Sequence, residues 1–524
     1  MTTAPTPRTR RIALALILLL ALLLRLKGIH QPLLDHPAWR QGDEAAIARN
    51  FALVDPNPLH PQADYNGPGP NYVELELQIA PWLASLGYQL FGVHEIFGRL
   101  ISVAASLGTV GALYAFGSYL FLSPLAGLGA ALLYAIAPGA IYYGRTFQPE
   151  ALMALLLTCA IFAGTRLFLD EEERSWRRVP LATLSLLAAI LAKPVAAVAL
   201  LPLFAVSVGR FGLLRTLARP QTWVLFLGAL LPCALYDRFE ASIAEWRWAS
   251  GITELHVIPS FIGAFLSPSA FLAKCSAAIG CLDMLAHTVL GPVIFTLLIL
   301  AFLSPLRGRA PVMLVAWLAA DLLYAYGVVT VERVDYYLTP FLPLAALAGG
   351  AYLASAFNLE LWIEGTPWSR RVTATALLLA LGVTILESRK EISEYYHYDP
   401  GLLRQAQLLD RVLPPDALVV QGHLDPSLLY YIHRRGWEED PYRWTPFDEQ
   451  SAIHKGARFF IDVEPNRLER NLELAAWLKR FPLLELPPHT WPVYTTDPDE
   501  ELPGAEKAWR RFRRLERNGK LSAR

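Results

Sequence analysis

Long stretches without a charged side chain alternate with short charged turns up to about residue 388. Leu100–Gly144, Met284–Leu306 and Tyr336–Leu359 contain no Asp, Glu, Lys or Arg. A membrane-spanning helix needs roughly 20 apolar residues. The first of these runs therefore predicts two helices joined near Ser123-Pro124. Applied along the chain, the same criterion predicts about eleven spans, at 12–27, 98–121, 125–144, 150–169, 179–193, 194–209, 221–237, 286–305, 310–331, 337–357 and 372–388. The first follows Arg8, Arg10 and Arg11, and no small-residue cleavage site follows it. It predicts an uncleaved helix whose flanking Arg25 and Lys27 reach to the interface.

The basic turns orient these spans. With Arg8–Arg11 placed on the cytoplasmic side, the turns carrying Arg174-Ser175-Trp176-Arg177-Arg178, Arg210 to Arg219, Arg307-Gly308-Arg309 and Arg370-Arg371 fall on that side too. The opposite side receives the loop 28–97, the turn Arg145–Glu150, the loop 238–285 and the turn Glu332-Arg333-Val334-Asp335. An odd number of spans leaves residues 389–524 outside as well. The expected location is a cytoplasmic (inner) membrane, with the N-terminus cytoplasmic and the tail extracytoplasmic.

Two domains are expected, a membrane domain over 1–388 and a soluble domain over 389–524. The tail is charged, aromatic and Pro-rich. Leu408–Leu413 and Ser427–Arg434 read as helix, and Ala417–Val420 and Arg458–Val463 as strand, which predicts a small α/β domain. Lys507–Arg524 is basic and reads as helical or frayed. In the first outer loop, 28–97, Asp43–Asn50 reads as a helix. Residues 72–92 read as an amphipathic helix on the membrane surface.

Composition agrees with this pattern. The chain is 54% hydrophobic and 18% charged, with formal net charge zero. That balance gives no support for a nucleic-acid partner. Of four cysteines, Cys159 and Cys233 lie in apolar runs. Cys275 and Cys281 share one loop, where a disulfide is an alternative to two free thiols.

The chemistry-bearing residues gather on the outer side. Asp35-His36-Pro37-Ala38-Trp39-Arg40-Gln41-Gly42-Asp43-Glu44 lies just past the first span, and Glu76 follows in the same loop. A carboxylate at a low-dielectric boundary serves as a general base, and several together can hold a divalent metal. The competing reading is solvated loop charge. Arg145 ends a charge-free run and suits bidentate phosphate binding, against an interfacial anchor. Lys193 is either an intramembrane phosphate ligand or the mark of an outer turn. Arg99 and Arg333 are weaker candidates of the same kind. Tyr336 and Tyr337 suit stacking on an isoprenoid or sugar, against an aromatic belt. Asp321, within a span, predicts pairing with a neighbouring helix. His423 and His433 lack zinc-ligand spacing.

Four motifs carry a resemblance. They are Trp39-Arg40-Gln41 with Asp43 before Ala45–Phe51; Glu76-Leu77 through Trp82-Leu83 to Leu90-Phe91-Gly92, with Arg99 beyond; Tyr142-Tyr143-Gly144-Arg145-Thr146-Phe147-Gln148-Pro149-Glu150; and Asp335-Tyr336-Tyr337 before Pro340 and Pro343. Together they resemble the GT-C superfamily of membrane glycosyltransferases. The likeness is to bacterial relatives of dolichyl-phosphate-mannose–protein mannosyltransferases and of the lipid A aminoarabinose transferase. The tail's Asp425-Pro426, Tyr430-Tyr431 and His433–Trp437 resemble one bacterial branch.

The resemblance implies a GT-C-like helical membrane fold. It implies transfer of a sugar from a polyprenyl-phosphate carrier to a lipid, envelope-glycan or protein acceptor. Catalytic candidates are Asp43, Asp35, Glu44 and Glu76, with Asp35 and Asp43 both open as the base. Donor-phosphate candidates are Arg145, Lys193, Arg99 and Arg333. Candidate substrate contacts are Trp39, Arg40, Gln41, Tyr143, Gln148, Glu150, Asp335, Tyr336 and Tyr337. A divalent ion, Mg or Mn, at Asp43 and Glu76 enters through the resemblance alone. The rivals are a transporter of lipid-linked intermediates, which predicts inverted repeats, and a membrane scaffold displaying the tail.

Overall fold

The computed structural model describes residues 6–170, 175–305, 308–357 and 367–517. Arg174, Arg307 and residues 518–524, to which the sequence assigns basic turns and a basic end, lie outside the described residues.

The membrane part runs α1 (Pro7–Arg25), α2 (Ala38–Leu53), β1 (Val73–Glu74), α3 (Ile79–Phe91), α4 (Ile96–Phe121), α5 (Pro124–Ile136), α6 (Pro138–Tyr142), α7 (Glu150–Leu169) and α8 (Ser175–Ala192). After a 3-10 turn at Pro194–Ala199 come α9 (Leu200–Phe211), α10 (Leu213–Ala218), α11 (Pro220–Ile243), β2 (Trp246–Arg247), α12 (Ala249–Ile252), α13 (Ile258–Leu266) and α14 (Pro268–Met284). It closes with α15 (Pro292–Leu303), α16 (Pro311–Tyr324), α17 (Phe341–Phe357) and α18 (Pro367–Glu391).

Among the described residues, six helices are long and apolar enough to cross a membrane. Proline and capping residues set the breaks. Pro124 opens α5 behind Ser123, whose hydroxyl accepts from the Ala126 N–H, and Pro138 starts a new short helix before the Arg145 turn. One continuous apolar core joins these helices, with Trp317 fully buried in it.

Every predicted span falls on a helix or a helix pair, with three departures around them. The expected outer loop 238–285 is instead largely helical, and Pro268–Val289 is itself long and apolar enough to span. Lys274 and Asp283 had broken the apolar run, but the buried Lys274 ammonium is 3.1 Å from the Ser260 hydroxyl. Cys275 and Cys281 sit on α14 and are free thiols, as are the other two cysteines, because one straight helix holds the pair apart. Arg25 does not reach the interface. It is fully buried, donating to Ser106 Oγ at 2.6 Å and to the Ala21 and Ala135 carbonyls at 3.0 and 3.1 Å. Asp321 is fully buried on α16, and neither carboxyl oxygen has a hydrogen-bond partner among the described residues, so the expected helix pairing is not made.

The helix predicted over 72–92 starts only at Ile79. Val73 and Glu74 instead pair in parallel with Trp246 and Arg247. The α3 helix buries Ala80, Ala84 and Tyr88 and exposes Leu83, Leu86 and Leu90.

The tail contains α19 (Pro400–Val412), β3 (Leu418–Gln421), α20 (Ser427–Tyr431), β4 (Arg435–Glu438), α21 (Pro446–His454) and β5 (Ala457–Ile461). Then follow α22 (Pro465–Leu468), α23 (Leu472–Leu478), β6 (Val493–Thr495) and α24 (Ala505–Arg517). Its sheet has the order β4-β3-β5-β6, parallel except for β6. The tail is not detached from the first loop. Ile47, Phe51, Tyr65 and Val73 share one apolar cluster with Leu409, Val419, Leu428 and Ile461. The backbone joins them too, through Gly67 N to Gly436 O at 2.8 Å and Gly436 N to Asp64 O at 2.9 Å.

Candidate active site

The α2 helix brings the acidic segment into the interior. Residues Arg40 to Phe51 are all buried. One side of α2 lies against the tail, where a Cβ on Gly42 would sit 3.0 Å from Ser427 Oγ and 3.1 Å from Ser427 Cα. Glycine lets α2 come this close without crowding Ser427.

Asp35 forms a buried anchor. Its carboxylate accepts from Arg99 at 3.0 Å, from Gln41 at 2.8 Å and from Arg145. Arg99 also donates to the Gly28 and Gln31 carbonyls at 2.7 and 2.5 Å, and Arg145 to Gly28 O at 3.2 Å. The Arg145 guanidinium lies 4.7 and 4.5 Å from the ring centroids of Tyr142 and Tyr396. Asp35, Arg99 and Arg145 have no exposed surface. Gln41 continues the knot by accepting from the Phe147 N–H at 3.2 Å.

A second group surrounds Arg40. Its guanidinium lies 2.9 Å from Glu44 Oε1, one helical turn on, and hydrogen-bonds Glu76. Glu44, Glu76, Pro149, Leu152 and Ala192 line a narrow crevice. Burial pushes the Glu44 carboxyl up to about 8, against the pull of Arg40 and with help from Glu76 and Glu150. Nearby, Lys193 is paired with Glu150, with its ammonium 4.9 and 5.2 Å from the rings of Tyr336 and Tyr337.

Asp43 sits on the same helix facing the tail. Burial pushes its carboxyl up to about 7, opposed by Arg40 and reinforced by Asp425 and Asp64. Its Oδ1 has no hydrogen-bond partner among the described residues. From β4, Glu438 is raised well above the carboxylate range by its own burial and then by Asp43 and Asp425. The sequence reading missed Glu438. The Glu438-Glu439 pair within an aromatic stretch was the available signal.

Asp335 ties a third set together. Burial alone would raise it, but the nearby His36 imidazole and hydrogen bonds from Tyr143 and Tyr395 hold it below the usual range. Tyr143 donates at 2.6 Å and Tyr395 at 2.7 Å, with His36 Nε2 3.6 Å away. Gln148 is buried beside Thr146, and its amide nitrogen has no partner among the described residues. Trp39 and Arg333 are exposed and stand apart from these buried groups.

A guanidinium already occupies the position between Glu44 and Glu76. Among the described residues, no three His, Cys, Asp or Glu converge as a metal group.

Residues 78–236 match the family described as dolichyl-phosphate-mannose-protein mannosyltransferase. No curated protein matches the chain. Among solved structures, it is similar to ArnT from Cupriavidus metallidurans bound to undecaprenyl phosphate. That likeness has 15% identity and a TM-score of 0.62 and covers 93% of this chain and 99% of that one. It is also similar to the oligosaccharyltransferase AglB from Archaeoglobus fulgidus in complex with an inhibitory peptide and a dolichol-phosphate. There the identity is 13% and the TM-score 0.57, with 94% of this chain and 75% of that one covered. The Archaeoglobus fulgidus enzyme in complex with Zn and sulfate matches at 13% identity and a TM-score of 0.55, over 94% of this chain and 74% of that one. Six helices among the described residues are of spanning length, and the chain shares the fold of these solved structures over more than nine-tenths of its length.

Proposed function

We propose that this protein transfers a sugar from a polyprenyl-phosphate carrier to an acceptor hydroxyl at the outer surface of the cytoplasmic membrane. Asp43 is the base. It takes the acceptor proton as the acceptor oxygen bonds to the anomeric carbon. The bond from that carbon to the phosphate oxygen breaks, and polyprenyl phosphate leaves with the electron pair. The observation that carries this reading is a buried carboxyl, raised to about 7, with one oxygen unpartnered among the described residues. Near neutral pH such a group is poised to accept a proton.

Lys193 and Arg40 supply positive charge for the donor phosphate. Both are held by carboxylates that can yield them, and Lys193 lies beside two tyrosine rings suited to an isoprenoid or sugar. Arg145 and Arg99 are assigned instead to holding Asp35, because that carboxylate and backbone carbonyls take up the hydrogen bonds of their terminal nitrogens. By the same reasoning Asp35 positions the loop and is not the base.

The GT-C fold and the lipid-phosphate complexes of its structural neighbours favour a carrier-linked donor. The basic turns favour a cytoplasmic N-terminus.

The test is reconstituted protein in proteoliposomes given a panel of polyprenyl-phosphate sugars. Polyprenyl phosphate released in step with sugar joined to an acceptor is the expected result. Movement of intact donor across the bilayer without cleavage would overturn the reading.

A further inference from the structure

A second cavity, of about 230 Å³, opens where α1 meets the end of α18. It is lined by Leu23, Leu24, Lys27, Ile141, Arg389, Ile392 and Tyr396. It shares no lining residue with the carboxylate crevice. Its walls are mostly aliphatic, and its polar edge carries two cations from chain segments more than three hundred residues apart. Lys27 and Arg389 are both exposed, and neither has a carboxylate partner among the described residues. The Lys27 ammonium sits 4.0 Å from the centroid of the Tyr396 ring.

An anion is the missing complement, and the approach to the cavity says which kind. Leu16, Leu19 and Leu23 are 60%, 51% and 59% exposed and line up along α1 toward Lys27. That stripe is a bed for a hydrocarbon chain, and it ends where cations meet the interface. We propose that Lys27 and Arg389 bind the phosphate headgroup of an anionic glycerophospholipid, whose acyl chain runs along the exposed leucines of α1. The volume takes a headgroup and the first methylenes. Such a lipid would fasten the first helix to the last, beside the Arg145–Asp35 anchor. It would touch none of the residues proposed to react. The inference is independent of the transfer reaction.

The test uses the full chain, delipidated in detergent and titrated with phosphatidylglycerol or phosphatidylcholine while native mass spectrometry counts adducts. One phosphatidylglycerol per chain, favoured over phosphatidylcholine, is expected. Lys27→Gln with Arg389→Gln should weaken that adduct about tenfold or more. Leu23→Trp fills the cavity from an exposed position, leaves the fold intact, and should weaken it as well. Equal retention of both lipids, or unchanged retention in the variants, would overturn the proposal. So would displacement of phosphatidylglycerol by equimolar undecaprenyl phosphate, which would assign the cavity to the carrier.

Discussion

Arg40 lies between two glutamates, 2.9 Å from Glu44 Oε1 on its own helix and hydrogen-bonded to Glu76 from the loop that follows. All three side chains are buried, and the guanidinium is the counter-charge that holds the Glu76 carboxylate inside. Arg40→Met is expected to cost about 3–5 kcal/mol, the usual loss when one partner of a buried ion pair is removed. Thermal unfolding in detergent measures it. Arg40→Met with Glu76→Gln should recover part of the loss.

Asp35 is expected to behave as an anchor. Asp35→Asn removes the carboxylate that Arg99 and Arg145 share. The melting temperature should fall by an amount equivalent to about 3–5 kcal/mol. Activity should fall with the folded fraction, and activity per folded molecule should survive. A fully folded but inactive Asp35→Asn would return the base to this residue.

The raised carboxyl of Asp43 sets a pH dependence. The base works ionised, so transfer should rise with pH along an acidic limb near the value of about 7. An unperturbed aspartate would place that limb near about 4. Stability moves the other way. The folded protein holds this proton more tightly than the unfolded chain, so stability falls as pH climbs from about 4 to about 7 and is level above. Glu44 and Glu438 are raised too. The difference between wild type and Asp43→Asn in melting temperature across that range isolates the contribution of Asp43.

Lys193 should matter to the donor. Lys193→Met with Glu150→Gln removes the pair without stranding a buried charge. Loss of a charged hydrogen bond to phosphate should raise the donor KM about tenfold to a hundredfold. The acceptor KM should be unchanged. Steady-state kinetics with each substrate varied in turn checks this.

Much of the membrane fold was legible because an apolar run is a physical requirement of a span. It failed where a charge inside the run found a local partner, as Lys274 did beside Ser260. The tail strands β3 and β5 were readable as apolar runs, whereas β4 was hidden. Its Arg435-Gly436-Trp437-Glu438 looks like a turn, yet a Cβ on Gly436 would lie 1.7 Å from Val419 O. The strand is specified by that close approach and not by hydrophobicity. Asp43, Glu44 and Glu76 stood out as acids beside the bilayer. How they and Asp35 are partnered depends on residues distant in sequence, Arg99 and Arg145 for Asp35 and Glu438 for Asp43. No local pattern carries those pairings.

The central claim is that Asp43 takes the acceptor proton. The direct measurement is release of polyprenyl phosphate by reconstituted wild type and Asp43→Asn, with melting temperature recorded for both. The account predicts a loss of about 10²- to 10⁴-fold in rate, with melting unchanged or higher near pH 8 because the buried charge is gone. Asp43→Asn transferring sugar at the wild-type rate would contradict it.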